Sequence, residues 1–331
     1  MSRSLIVLPD DSAAPILAAI ESARRTLRIK MFVFSDARLA SGLIAAARRK
    51  VKVRVMLNRA RRRGEQDNER IRRVLEHGGV AVRDANPAFA VTHEKSMVVD
   101  DSIAVVQSLN WATRNLTQTR DYAVVTHRRS EVAEIADAFD ADWRRRPFQP
   151  RDGSDLIWCP GPGRAHLCRF IDEARHRLFV QNERYQDIQV IERLVRAARR
   201  GVKVSIMARP PHTLKSDQIV DGVAGLRLLD DVGIEIRRLG HLKLHGKMMV
   251  ADGAAAIVGS INFAPGSLDG RRELAIEVRA PAVVARLDQV ARHDWADGHR
   301  LDLSDEGVRA DLDGRVEGAE ARLGLENRDW R

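Results

Sequence analysis

Cysteine is nearly missing from this chain, with two in 331 residues, Cys159 and Cys168. Their spacing fits neither a zinc-binding pair nor a redox pair, and both read as packing residues. Aromatic residues make up only 5%, which leaves few platforms for stacking the bases of a single strand. No apolar run approaches the roughly 18 residues that a membrane-spanning helix needs. Four apolar residues precede Pro9 and Asp10, too few for the core of a signal peptide. The expected setting is therefore the cytoplasm, with any membrane contact peripheral and at the inner face. Lysine is rare as well, at eight of 56 basic residues, and base composition of the genome is one source of such an arginine excess.

What is present points to a globular protein: 44% hydrophobic and 31% charged residues in a chain long enough for two domains. The formal charge of +10 favours polyanionic partners, whether nucleic acid, an anionic bilayer or a phosphorylated substrate. Charge alone does not choose among them.

The chain is written twice. "LIVLPD" from Leu5 answers "LIWCPG" from Leu156, and "ESARRTLRIK" from Glu21 answers "DEARHRLFVQ" from Asp172. "AAARRKVKVRVML" from Ala45 answers "RAARRGVKVSIMA" from Arg196, all 151 positions apart. From the motif "THEKSMVVDD" at Thr92 and its partner "LHGKMMVADG" at Leu244 the offset is 152. It holds through Asn110/Asn262, Asp121/Glu273 and the pairs Asp142-Trp143 and Asp294-Trp295. A period of this length means a duplicated domain rather than a solenoid. The expected units are residues 1–148 and 154–300, joined by the Pro- and Gly-containing linker "RPFQPRDGSD". Residues 301–331 have no third counterpart and form a mainly acidic appendage.

Within the first copy, helical periodicity over Ala13–Arg25, Leu39–Arg49 and "NERIRRVLEH" alternates with strand-like runs at Leu5–Leu8, Leu27–Phe34 and "VKVRVML". Gly78-Gly79 stops the third helix. Further strands follow in "VAVRDA", in the His-Lys-Asp motif, in "IAVVQSLN" and in "DYAVVTH", before a helix that ends near Trp143. This order predicts an α/β fold of two α-β-α halves with mixed sheets and helices on both faces.

His93, Lys95 and Asp100 recur as His245, Lys247 and Asp252. On one strand, residues two apart share a face, so each His would point with its Lys. Two imidazoles can divide a displacement between a nucleophile and a proton donor, and two ammonium groups can hold an anion and stabilise charge growing on it. Ser108 and Asn110, copied as Ser260 and Asn262, add neutral donors for the same oxygens. Asp121 and Glu273, each 28 positions after a histidine, can accept its Nδ1–H and leave Nε2 free.

The pattern His-x-Lys-x-x-x-x-Asp followed by Gly-Ser-x-Asn, as in "HGKMMVADGAAAIVGSIN", closely resembles the phospholipase D superfamily over residues 1 to about 300. That resemblance implies two halves related by a pseudo-two-fold axis, with both motifs in one phosphodiesterase site. His93 would form a phosphohistidine and His245 would protonate the leaving alcohol. Lys95, Lys247, Asn110, Asn262, Ser108 and Ser260 would bind the phosphate. Asp121 and Glu273 would orient the histidines, while Asp100 and Asp252 would secure the motif loops. No cofactor or metal is expected, the lysines taking the place of a cation, and one chain would hold a complete site as a monomer. Where the second copy has Gly259 the first has Gln107, a bulkier residue expected to narrow one side of the phosphate pocket.

The expected substrate is a phospholipid, hydrolysed or transferred, since the second copy resembles bacterial cardiolipin synthases. Nucleic acid is the alternative, with the arginine clusters "RARRRGEQDNERIRR" and "WRRRPF" as its contact sites. Solvated helix faces are the simpler account of those clusters.

Overall fold

Two successive sets of alternating strands and helices build two sheets in the computed structural model, which describes residues 2–58, 66–214 and 219–314 (the side chains of Gln66 and Asp67 excepted). The first set runs β1 (Arg3–Leu8), α1 (Ala14–Ser22), β2 (Thr26–Met31), α2 (Ala37–Arg48), β3 (Lys52–Leu57), α3 (Gln66–His77) and β4 (Ala81–Asp84). It continues with β5 (Val91–Thr92), β6 (Ser96–Val99), β7 (Ile103–Gln107), α4 (Thr113–Thr117), β8 (Thr119–Thr126) and α5 (Arg129–Trp143). The second set repeats this order: β9 (Leu156–Cys159), α6 (Gly163–Glu173), β10 (Arg177–Gln181), α7 (Ile188–Arg199), β11 (Lys203–Met207), α8 (Ile219–Asp231) and β12 (Glu235–Arg238). β13 (Lys243–Leu244), β14 (Lys247–Ala251), β15 (Ala255–Gly259), β16 (Arg271–Val278), α9 (Pro281–Asp297) and β17 (His299–Arg300) complete it.

Local chemistry explains these elements. α2 places Leu39, Leu43 and Ala46 on one buried stripe, and burying each leucine contributes roughly 1.5–3 kcal/mol. Its N-terminus is capped by Asp36, whose carboxylate accepts from the N–H groups of Arg38 and Leu39; Asp187 caps α7 in the same way. β2, β3 and β4 are parallel, and β6 to β8 antiparallel, in the order β1-β8-β7-β6-β2-β3-β4. The second sheet has the corresponding order β17-β12-β11-β10-β14-β15-β16, with β9 on β16. Both are mixed sheets in a duplicated α/β fold. Each carries one apolar core under its own first three helices. A third core lies between the sheets, where Val7, Val124, Met248 and Ile276 pack with Ile135 of α5 and Leu287 of α9.

The two halves also exchange strands. β5 leaves the first half to pair with β16, placing Thr92 opposite Arg272. β13 leaves the second half to pair with β8, placing Leu244 opposite Arg120. Each motif therefore changes sheets at its histidine, so the single strand expected through His93 and Lys95 is two strands with a crossing between them. Reciprocal contacts of this kind are what a two-fold relation requires.

Buried ion pairs close the interface in the same crosswise sense. Asp142 binds Arg272 of the other half, with both bonds at 3.0 Å, and Asp294 binds Arg120. Asp142 also takes Lys30 at 2.6 Å, and Lys30 takes Glu94 at 2.8 Å. The repeated Asp-Trp pairs thus supply the anions that join the halves. Residues 301–314 continue the second half. Leu301 and Leu303 enter its core, and Asp311, on a helix at 305–314, binds the backbone and ring of His212. Cys159 and Cys168 are buried free thiols whose pKa values are raised by that burial. Of the two arginine clusters, residues 59–67 lie outside the described side chains, while Arg144, Arg145 and Arg146 are exposed.

Candidate active site

Strand exchange decides which carboxylate meets which histidine. Because Thr92 lies opposite Arg272, the next residue on each side brings His93 to Glu273, with Nδ1 to Oε2 at 2.8 Å. Leu244 opposite Arg120 likewise brings His245 Nδ1 within 2.8 Å of Asp121 Oδ1. The carboxylate that follows each histidine in sequence therefore serves the histidine of the other half. Neither half has a supported histidine by itself.

Each carboxylate is braced in turn. Asp121 accepts from Ser108 Oγ at 2.6 Å, Thr119 Oγ1 at 2.6 Å and Asn115 Nδ2 at 3.3 Å. Glu273 accepts from Ser267 Oγ at 2.8 Å. Ser108 and Ser260 are fully buried. Ser108 gives its hydroxyl proton to Asp121, while Ser260 exchanges bonds with the backbone of Leu274. The reading that assigned both serines to the phosphate is corrected: they stand behind the carboxylates. Gln107 does not narrow the pocket in the expected way either, because its side chain accepts the indole N–H of Trp111 at 3.2 Å.

Lys95 and Lys247 fold back on their own motifs, each donating to the carbonyl of its histidine, at 2.6 Å for Lys95. His93 Nδ1 also lies 3.2 Å from the Ser260 carbonyl oxygen of the other half, so the contacts of the two motifs form one constellation. Asn110 reaches across the halves to put Nδ2 3.5 Å from His245 Nε2. Asn110 Oδ1 and Asn262 Oδ1 are buried without a hydrogen-bond partner among the described residues. Asp100 and Asp252 lie at the far ends of the motifs, where positive φ angles turn the chain. Asp100 accepts from the N–H groups of Arg24, Arg25 and Thr26, and Asp252 from those of Arg175, His176 and Arg177.

The two histidines sit in unlike surroundings. Phe32 packs edge-on against His93 with ring centroids 4.8 Å apart, and Lys95 lies over the same ring at 5.3 Å. The corresponding residue of the second copy is Glu183. Its carboxylate binds Lys247 at 2.5 Å and Arg209 at 3.1 Å and lies 4.0 Å from His245 Nε2. Glu183 was not among the expected site residues. A charged residue where the other copy has Phe32, just beyond a buried strand, was the signal available.

Electrostatics follow that difference. Burial, then Lys95, Lys247 and Arg271, hold the pKa of His93 well below its ordinary value, so its ring is neutral. Burial also raises the pKa of Glu273. For Asp121 burial acts upward, but His245, Lys247 and the Ser108 hydrogen bond outweigh it and keep the carboxylate ionised. Glu183 is held well below its usual range by Lys247, His245 and Arg209 against the same opposing burial. Burial brings the Lys95 ammonium down to about 7. Among the described residues no cluster of three or more His, Cys, Asp or Glu side chains could hold a metal ion.

A duplicated α/β fold that sets two His-Lys pairs into one constellation defines an enzyme of the phospholipase D type. The family model for the cardiolipin synthase, phospholipase D-like domain matches residues 16–143 and again 167–295. The chain belongs to that family. Cardiolipin synthase B of Salmonella typhi is 24% identical over 306 residues, covering 76% of this chain and 70% of that protein. Among solved structures, phosphatidylserine synthase of Haemophilus influenzae superposes with a TM-score of 0.73 at 11% identity, covering 98% of this chain and 94% of its own. Polyphosphate kinase of Porphyromonas gingivalis gives 0.69 at 19% identity over 97% of this chain, which spans 53% of the kinase. Both structural likenesses are likenesses of fold.

Proposed function

We propose that the protein hydrolyses or transfers phospholipid phosphodiesters through a phosphohistidine on His93. In the first step His93 Nε2 forms a bond to phosphorus as the bond to the leaving oxygen breaks, and His245 Nε2–H gives that oxygen its proton. In the second step water or an alcohol gives a proton back to His245 while its oxygen displaces His93 from phosphorus. Lys95, Lys247, Asn110 and Asn262 hold the phosphate oxygens, and Glu273 and Asp121 fix the imidazoles. Asp100 and Asp252 secure the motif loops.

The observation that carries the division of labour is the exchange of Phe32 for Glu183. An imidazole kept neutral against Phe32 suits a nucleophile. The His245 imidazole has Asp121 on Nδ1 and Glu183 4.0 Å from Nε2, a placement that suits the group that carries the proton. Both histidines and both lysines come from one chain, so a monomer holds the whole constellation. The lipid substrate is supported by family membership and by the cardiolipin synthase relatives. Exposed arginines such as Arg144, Arg145 and Arg146 would meet anionic headgroups during peripheral contact at the inner leaflet.

The test is turnover of phosphatidylglycerol vesicles and, separately, of plasmid and single-stranded DNA, all in excess EDTA. Lipid turnover with intact nucleic acid is the expected result. Nucleic acid cleavage with intact lipid would replace the substrate. Loss of all activity in EDTA, restored by Mg²⁺ or Mn²⁺, would replace the mechanism.

A further inference from the structure

The two carboxylates that brace the histidines are backed differently. Glu273 Oε2 holds His93 Nδ1, and Oε1 accepts from Ser267 Oγ at 2.8 Å. Behind Ser267 stands Arg271, which donates from Nη1 to the same hydroxyl oxygen at 3.4 Å. Arg271 and Glu273 lie two apart on β16 and share a face, while Arg272 between them turns to Asp142. A chain of contacts thus runs from a guanidinium through a serine and a carboxylate to the imidazole. Arg271 has no ion partner among the described residues.

Asp121 is braced without a cation. At the offset of 152, Arg271 corresponds to Thr119 and Ser267 to Asn115. Thr119 Oγ1 and Asn115 Nδ2 bond Asp121 Oδ2 at 2.6 and 3.3 Å, and Ser108 Oγ bonds Oδ1. All three donors are neutral. Duplication gave each histidine a braced carboxylate, and the one that serves His93 has a guanidinium added behind it.

That addition bears on where the proton of His93 sits. An ionised Glu273 accepts Nδ1–H and leaves the lone pair of Nε2 free. A protonated Glu273 donates its O–H to Nδ1 instead, and the ring proton then occupies Nε2 and removes the nucleophile. Burial pushes Glu273 toward the protonated form; Lys95, the hydroxyls of Ser260 and Ser267, and Arg271 pull the other way. Cys159, opposite Glu273 on β9, is a buried thiol kept protonated and adds no charge. The Lys95 ammonium is itself brought down to about 7, whereas a guanidinium stays charged throughout the working range. Resting on the reading of His93 as nucleophile, we infer that Arg271 is a positioning residue that, through Ser267 and Glu273, fixes the ring proton of His93 on Nδ1. The nucleophile of the first half is thus set by an arginine of the second.

Two measurements on the full chain test this. The first is ¹⁵N NMR of the imidazole nitrogens in the resting enzyme as pH falls, with His93 identified by the signals missing from His93→Ala. The wild type should keep the Nδ1–H tautomer to a pH about one unit lower than Arg271→Gln does. The second is the pH profile of kcat/KM on a p-nitrophenyl phosphodiester, whose leaving group needs little protonation. Without the cation Glu273 holds its proton to higher pH, so the acid limb should move up by about one unit in Arg271→Gln and Arg271→Thr. That is about a 10-fold loss on the limb, regained as pH rises. Arg271→Lys should keep the wild-type limb and tautomer. A limb and tautomer unmoved in both neutral variants would overturn the inference, as would a rate lowered equally at every pH in Arg271→Gln and Arg271→Lys alike. Either result leaves the catalytic reading standing. The tautomer is read without substrate, so covalent phosphate on His245 in place of His93 would overturn the catalytic reading while the NMR still decides whether Arg271 sets the His93 proton.

Discussion

Phe32 and Glu183 occupy one position in two copies of one fold, and they give two chemically identical motifs different surroundings. In the first half an aromatic ring closes over His93 and Lys95. In the second a carboxylate reaches Lys247 and His245. The comparison teaches that duplication supplies two imidazoles and two ammonium groups, while on the proposed mechanism one difference between the copies separates nucleophile from acid. The crosswise carboxylates, the exchanged strands and the Asp142–Arg272 and Asp294–Arg120 pairs remain nearly symmetric. Those parts hold the halves together. On the proposed mechanism, the asymmetric parts decide the chemistry.

Removing the histidines makes the largest change. His93→Ala and His245→Ala should each lower kcat on phospholipid by at least about 10⁴-fold, because residues that act as a unit fail together. Two independent sites would instead leave each single variant with half the wild-type rate. A p-nitrophenyl phosphodiester then separates the pair. Its leaving group needs little protonation, so it should restore much of the roughly 10²–10⁴-fold that a general acid supplies. That rescue is expected for His245→Ala and not for His93→Ala.

Glu183→Gln should make the halves more alike. Without its negative charge Lys247 and Arg209 lose their ion partner and the group 4.0 Å from His245 Nε2 becomes neutral, so kcat should fall about 10- to 100-fold. An unchanged kcat, with only KM raised, would reduce Glu183 to a tether for Lys247. A smaller effect concerns Lys95, whose buried ammonium is brought down to about 7. The charged form is the one that binds phosphate, so kcat/KM should fall by up to about 10-fold per pH unit above 7. Bound substrate supplies the opposite charge and keeps the proton on, so kcat should fall less. Lys95→Arg keeps its charge throughout and should lack this limb of the profile.

Much of this was legible in the sequence. The offsets of 151 and 152 gave the duplication, and alternating apolar runs gave mixed sheets with helices on both faces. The repeated His-Lys pairs gave the candidate site. What was not legible depends on contacts between distant segments. Nothing in "THEKSMVVDD" shows that the chain changes sheets at His93, because β5 has its partner 180 positions away on β16. The crosswise pairing of Glu273 with His93 follows from that exchange. Ser108 looked like a phosphate donor because it precedes Asn110 by two residues. Its burial beneath Asp121 comes from the antiparallel pairing of β7 with β8, which continues as Ser108 N–H donates to the Tyr122 carbonyl. Glu183 was in plain view, but a lone charge after a strand gains its meaning only when His245 is brought beside it.

The most direct test of the division between the halves is the site of the covalent phosphate. His245→Ala should load from the p-nitrophenyl phosphodiester but lack the base that activates water, so the adduct should accumulate. After rapid quenching and proteolysis, mass spectrometry should find an acid-labile, alkali-stable phosphoryl group on the peptide containing His93. An adduct on His245 in the converse variant, His93→Ala, with none on His93 would reverse the two roles. Absence of any adduct, together with inverted configuration at phosphorus in the product, would contradict the two-step account and replace it with direct attack by water.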